Sequence, residues 1–358
     1  MGLLPFLHLK RGLPRNSLAT SCRSFSPRDD FMTTRSRRHF LTTIGSASAA
    51  LALGRTTTAS AQPYPSRPVR YVVALAPGGT SDIVARAITP GLGAALGQPF
   101  VVENRPGGGG VIGTEHVAKS PPDGYTLLHT SIAFFTVTPQ LTKVSYDPFK
   151  DFDPVAFVGT NVGILAIHPS VPATNLSEFI AYAKANPGKL NYASSGSGTG
   201  GHLLGEFFKQ ATGIVAEHVP YKGAAPAVAD LLGGRTHFMI DSAVTPHVKS
   251  GKLRALAVNG AKTSELIPGL PPMESVLPGW NPPQQYNFIS APAGTPAEVR
   301  DRIHSAMTGV LADPKVVNTL REASYEPSSA TPAQIRARIK SDYDTTGAFL
   351  RAHNVKLD

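Results

Sequence analysis

The sequence of 358 residues holds one cysteine, Cys22, and none after it. Beyond the first 61 residues this excludes disulfides, thiolate metal sites and cysteine nucleophiles together. Cys22 follows Leu18-Ala19-Thr20-Ser21, but Lys10 and Arg11 interrupt the apolar run that an acylated cysteine needs before it, so no lipid anchor is expected. Marks of several enzyme classes are missing too. His116, His218, His237 and His247 lack His-Glu-x-x-His spacing, no Gly-x-Ser-x-Gly elbow occurs after residue 61, and no Walker pattern is present. No metal ligand and no catalytic residue is therefore expected.

A basic cluster on the folded part is also lacking. The formal charge is +10, yet residues 1–61 carry nine Lys/Arg against two Asp/Glu, leaving 25 basic and 22 acidic groups for the rest. A nucleic-acid surface needs clustered cations with aromatics between them, so a nucleic-acid partner is not expected. The cations sit in a leader. Thr34-Arg35-Ser36-Arg37-Arg38-His39-Phe40-Leu41 precedes a mildly apolar run, Leu41 to Leu53, too short to anchor in a bilayer, and Ala59-Ser60-Ala61 has the small residues a signal peptidase requires. This order resembles a twin-arginine export signal cleaved after Ala61, with Met32 as an alternative start.

What is present is an apolar fraction of 41 %, enough for real cores, and an alternation of strand and helix patterns from Gln62 onward. Strands are expected at Val69 to Leu75, Phe100 to Glu103, Tyr125 to Thr130, Asn191 to Ala193, Ala216 to Val219, Phe238 to Ile240, Ala255 to Val258 and Tyr286 to Ser290. One or two more lie in Pro154 to Ile167. Helices are expected at Ile83 to Leu96, Leu176 to Ala185, Leu203 to Gln210, Ala225 to Leu232, Pro296 to Leu311 and Pro332 to Leu350. The order implies an α/β protein of two lobes. The chain crosses out near 160–168 and returns near 284–292, giving a leader at 1–61, a discontinuous first lobe at 62–165 and 285–358, and a second lobe at 166–284. Two crossing strands form a hinge, with a ligand site between the lobes.

Two stretches carry that site. Asn191-Tyr192-Ala193-Ser194-Ser195-Gly196-Ser197-Gly198-Thr199-Gly200-Gly201-His202 and Ala76-Pro77-Gly78-Gly79-Thr80-Ser81-Asp82 are both polar glycine turns running into helices. Glycines let backbone amides approach a ligand, and the first amides of a helix have no internal partner, so each turn is a seat for a carboxylate or phosphate.

These turns, together with Val102-Glu103-Asn104-Arg105-Pro106-Gly107-Gly108, Pro122-Asp123-Gly124-Tyr125-Thr126-Leu127, Val219-Pro220-Tyr221-Lys222-Gly223, Leu231-Leu232-Gly233-Gly234 and Gly251-Lys252-Leu253-Arg254-Ala255-Leu256-Ala257-Val258, resemble the Bug family. Members are extracytoplasmic solute receptors of tripartite tricarboxylate transporters, and the resemblance runs from about Tyr64 to the C-terminus. It implies a periplasmic, non-enzymatic type-II binding protein with no cofactor. Its ligand would be a small organic acid or amino-acid-like molecule, and its partners membrane transporter subunits, unless it serves as an orphan or sensory receptor. The implied site is Gly78, Gly79, Thr80, Asp82 and Ser131 from the first lobe, with Ser194, Ser195, Ser197, Thr199, Tyr221 and Asp241 from the second.

Blander readings stand beside these. Asp82 can cap the helix from Ile83, Asp241 can cap the turn after its strand, His202 can be structural, and Lys222 reads as a solvated charge. Gly108 to Gly113 satisfies Gly-x-Gly-x-x-Gly after a strand, so an exported oxidoreductase using a dinucleotide is the alternative. Asp123 lies in a turn rather than at a strand end, however, and the run reads equally as a tight structural turn. Gln284-Gln285-Tyr286-Asn287-Phe288 on the return strand and Asn161-Val162-Gly163 at the outward crossing depart from the family pattern.

Overall fold

A computed structural model describes residues 64–260, 265 and 267–355, all within one compact unit, Gln62–Asp358. The leader features, namely the arginine pair, Cys22 and the cleavage point after Ala61, lie outside the described residues. No described helix is long and apolar enough to cross a membrane.

The chain runs β1 (Val69–Val73), α1 (Thr80–Leu96), β2 (Phe100–Asn104), α2 (Val111–Ala118), β3 (Thr126–Ser131), two single-turn helices α3 (Ala133–Thr136) and α4 (Thr138–Leu141), and β4 (Phe152–Asn161). It continues through β5 (Ile164–Ile167), α5 (Leu176–Ala185), β6 (Leu190–Ser194), α6 (Gly200–Thr212), β7 (Ala216–Pro220), α7 (Ala224–Leu232), β8 (Phe238–Asp241), α8 (Thr245–Lys249) and β9 (Arg254–Val258). It closes with β10 (Tyr286–Pro292), α9 (Ala297–Val310), α10 (Pro314–Glu322), β11 (Tyr325–Pro327) and α11 (Pro332–Ala352).

Two sheets result, in the orders β11-β4-β10-β3-β1-β2 and β7-β6-β8-β5-β9. They repeat one plan. β1 lies between parallel β2 and β3, as β6 lies between parallel β7 and β8, and an antiparallel strand is next in each, β10 beside β3 and β5 beside β8. The chain leaves the first sheet at Val162-Gly163 and returns between Val258 and Tyr286, so two crossings join the halves. In each half the glycine turn leaves the carboxyl end of a central parallel strand, the place where open α/β sheets bind ligands.

Burial has the period of a strand covered on both faces. Val69, Tyr71 and Val73 enter the core under α1 and α9, while Val72 and Ala74 face the opposite core with Phe134 and Phe135. In the second sheet Phe179, Phe208 and Phe238 gather on one face, with Phe179 and Phe238 centroids 5.2 Å apart edge to face. Each such buried ring stabilises the fold by about 1.5–3 kcal/mol.

Several elements differ from expectation. α1 begins at Thr80 rather than Ile83, and α6 at Gly200 rather than Leu203. The polar residues that read as loop are in fact the first helical turns, so Asp82 lies inside α1 and is not its cap. The single-turn α3 and α4 and the three-residue β11 are too short to show a period, whereas α10 was not expected although Asp313 and Pro314 mark its start.

Candidate functional site

Between the sheets lies a cavity of ≈ 60 Å³ at the ends of β1, β3, β6 and β8. Of the expected residues, Gly79, Thr80, Ser131, Ser195, Thr199 and Asp241 line it. Its floor adds Ser81, Asn161, Gln285 and Asn287, with Phe134 and Leu204 as apolar walls.

The first turn is shaped by Gly78, whose φ of +79° is left-handed and favours glycine. Asp82 holds this turn from beneath. Its Oδ2 accepts the Gly78 N–H at 2.9 Å and Arg86 Nε at 3.0 Å, and its Oδ1 accepts Asn104 Nδ2 at 3.0 Å. Burial pushes the carboxyl up, but Arg86, the Gly78 amide and Asn104 outweigh it and hold it below the usual range. Asp82 and Gly78 therefore build the loop and do not line the cavity.

The second turn is tied in the same way. Ser194 Oγ shares a 2.7 Å hydrogen bond with His218 Nε2 and receives the Gly196 N–H at 3.1 Å. Thr199 donates to Gly196 O at 2.7 Å, and the Gly198 N–H donates to His202 Nδ1 at 3.1 Å. His202 stacks on His218 with centroids 4.2 Å apart. That nitrogen accepts, so His202 serves the loop through it. Ser197 contributes its carbonyl to the packing of Gly109, where an added Cβ would come within 1.9 Å of it. Tyr221 donates to Asp230 Oδ2 at 2.8 Å. Ser194, Ser197 and Tyr221 are not among the lining residues, and the hydroxyls of Ser194 and Tyr221 are bonded to His218 and Asp230.

Three helices open onto the cavity, α1 from Gly79, α6 from Thr199 and α7 from Gly223, and none of the three has a side chain capping its first amides. Their free N–H groups and dipoles favour a negative charge. No Lys, Arg or His is among the described lining residues, and Asp241 is the ionisable one. Burial pushes the Asp241 carboxyl up, against hydrogen bonds from the Ala243 N–H at 2.9 Å and Ser195 Oγ at 3.3 Å.

The halves touch around the cavity rim. The Ala76 N–H donates to Lys222 O at 3.1 Å, Ser242 Oγ donates to Thr80 Oγ1 at 3.0 Å, and Thr138 Oγ1 donates to Gly198 O at 3.1 Å. The Gly108–Gly110 turn belongs to this contact. Gly109 abuts Ser197 O and Gly110 abuts Phe134, so close packing accounts for the glycines that suggested a dinucleotide loop. Behind the cavity a wider hollow of ≈ 610 Å³ shares Asn161 and Gln285 with it and is lined by Glu265 and Glu326.

Asn161, Gln285 and Asn287 were missed as site residues. They lie at the two crossings, and the only signal in the sequence was their departure from the pattern of similar proteins.

Comparison with known proteins agrees with this geometry. Residues 84–355 match the profile described as a tripartite tricarboxylate transporter family receptor. The chain is similar to Protein BugT of Bordetella pertussis, 35 % identical over 302 residues that cover 83 % of this chain and 93 % of that protein. It is also similar to a solved periplasmic transporter, with 39 % identity, a TM-score of 0.80, and coverage of 82 % of this chain and 100 % of the other. Rpa4515 of R. palustris, solved with adipate, shows 33 % identity and a TM-score of 0.79 over 82 % of this chain and 99 % of its own.

Proposed function

We propose a function from the premise that this chain belongs to the tripartite tricarboxylate transporter family of receptors: it is a periplasmic solute receptor that captures a small carboxylate in the cavity between its two sheets. One observation carries the reading. The helices that open onto the cavity leave their first amides uncapped, and no cation is among its described lining residues, so main-chain dipoles are what can hold an anion there. Reversible capture by amides makes and breaks no covalent bond, and the protein acts as a non-enzyme. That a relative was solved with adipate supports an organic acid as the ligand.

Each sheet with its helices forms one lobe, and the lobes exchange chain at Val162-Gly163 and in the segment before Tyr286. Asp82, Gly78, Ser194, Ser197 and Tyr221 act as supports. Gly79, Thr80, Ser81, Ser131, Ser195 and Thr199 touch ligand. The rim contacts Ala76 to Lys222 and Thr80 to Ser242 hold the closed state, which presents both uncapped helix starts to one molecule. Export takes the twin-arginine route with cleavage after Ala61, and the closed receptor is read by membrane subunits of a transporter or by a sensor.

A thermal-shift screen against mono-, di- and tricarboxylates, amino acids and aromatic acids, with NAD and NADP beside them, tests this. A ligand at a hundred times its dissociation constant adds about 2.7 kcal/mol of stability. A shift from one acid class is expected, and a shift from dinucleotides alone overturns the reading.

A further inference from the structure

The two long helices that start at the cavity are not equivalent. At the start of α1 the nearby carboxylate, Asp82, is paired with Arg86 and stays out of the lining. At the start of α6 the carboxylate of Asp241 lies in the lining, close enough that a Cβ at Gly201 would stand 3.7 Å from its Oδ2. Its hydrogen-bond partners are the Ala243 N–H and the hydroxyls of Ser195 and Ser242, and among the described residues no cation pairs with it. The positive end of α6 therefore already faces a buried carboxyl group, and a ligand carboxylate placed there competes with it for the same amides and hydroxyls.

The floor beside Asp241 has a matching character. Asn287 is 4 % exposed, its Oδ1 accepts from the Tyr325 hydroxyl, and its Nδ2 has no hydrogen-bond partner. Gln285 Oε1 is likewise buried without a partner. Buried polar groups are generally satisfied in native states, and since both residues line the cavity, a ligand seated there is placed to satisfy these two atoms. Beyond Gln285 the hollow presents Glu265 and Glu326 and no described Lys or Arg. This end of the site thus offers two acceptors, Asp241 and Gln285 Oε1, one donor, Asn287 Nδ2, and no positive charge.

We propose that the receptor selects a monocarboxylate bearing a hydrogen-bond-donating group, a carboxamide, hydroxyl or ammonium, over an isosteric dicarboxylate. The ligand's carboxylate sits at the start of α1, and its donor faces Asp241 and Gln285. A carboxamide satisfies the floor most fully, since its N–H groups reach the two acceptors while its carbonyl accepts from Asn287. The inference rests on the receptor reading above and adds the class of ligand.

Calorimetric titration of the purified full chain with matched pairs tests it: succinate against its mono-amide, glutarate against its mono-amide, and short monocarboxylates with and without a 2-hydroxyl or 2-amino group. The donor-bearing member is expected to bind about tenfold tighter or better. Asp241→Asn is expected to raise diacid affinity about tenfold and narrow the preference, and Gln285→Leu to weaken the mono-amides severalfold without weakening the diacids. Diacids binding as tightly as their mono-amides in the unaltered protein overturn the inference while leaving the receptor reading intact, as does an unchanged preference in both variants. Failure of every acid in the wider screen overturns the receptor reading itself.

Discussion

The starts of α5, α10 and α11 are capped by side chains while those of α1, α6 and α7 are not. Because α2 and α9, which begin away from the cavity, lack such a cap too, what sets α1, α6 and α7 apart is an uncapped start together with its place at the cavity. Asn175 accepts from the Glu178 amide, Asp313 from the Lys315 amide, and Thr331 forms a reciprocal box with Gln334. These helices satisfy their own ends and lie away from the cavity. The three that open onto it begin on Gly79, Thr199 and Gly223 with no side-chain cap, although Thr199 carries a hydroxyl able to serve. That hydroxyl is turned to Gly196 O instead. A cap is worth about 1 kcal/mol, and at the three starts that meet in one cavity the uncapped amides are within reach of a ligand.

Supplying the missing cap should have the largest effect. The backbone at Gly79 has φ −83° and ψ 170°, open to any residue, and an added Cβ meets Ala224 Cβ at an ordinary 3.4 Å. Gly79→Asp is expected to place a carboxylate on the α1 amides, leave the ligand-free melting point within a few degrees, and cut acid affinity by about a hundredfold or more in calorimetric titration. Unchanged affinity would show that these amides do not hold the ligand. Removing a cap from the other class makes the reverse case. Thr331→Ala should lower stability by about 0.5–2 kcal/mol in urea unfolding without altering acid binding.

The two carboxylates beside the helix starts give opposite pH behaviour. Asp82 is held below the usual range, so its stabilising contribution is complete above the unfolded value of about 3.9 and fades as pH falls through the folded one. Asp82→Asn should therefore weaken the protein at neutral pH and lessen its loss of stability below about pH 4, measured by melting point across pH. Asp241 is pushed upward by burial, and its charge destabilises the ligand-free protein above the folded value. A smaller effect of opposite sign is expected for Asp241→Asn, a higher ligand-free melting point at pH 7 that disappears once pH falls below about 3.9, where the carboxyl is protonated in both states.

Much of the fold was legible because its signals are local. Val69 to Val73 is rich in β-branched residues, Asn186-Pro187-Gly188 comes directly after α5, and glycines at 97 and 213 end α1 and α6 in the left-handed region. The two anion turns were legible for the same reason, since glycine and hydroxyls before a helix have a mechanism that needs no partner. Which members of a turn face the ligand was not. Ser194 and Ser195 are neighbours of identical chemistry, yet one is bound to His218 across the sheet and the other reaches Asp241 at the cavity. Tyr221 sits in a turn near the site, and only the position of Asp230, nine residues on, draws its hydroxyl away.

The sequence by itself determined most of the elements, the glycine turns, the lack of cysteine after Cys22 and of catalytic motifs, and the membership of the chain in its family. Each of these depends on residues close together in the chain or on the pattern as a whole. Only the tertiary structure decided that Asn161, Gln285 and Asn287 share a cavity with Thr80 and Asp241. The two crossings bring them there from distant points in the chain, where Gln285 Oε1 and Asn287 Nδ2 are buried without a hydrogen-bond partner.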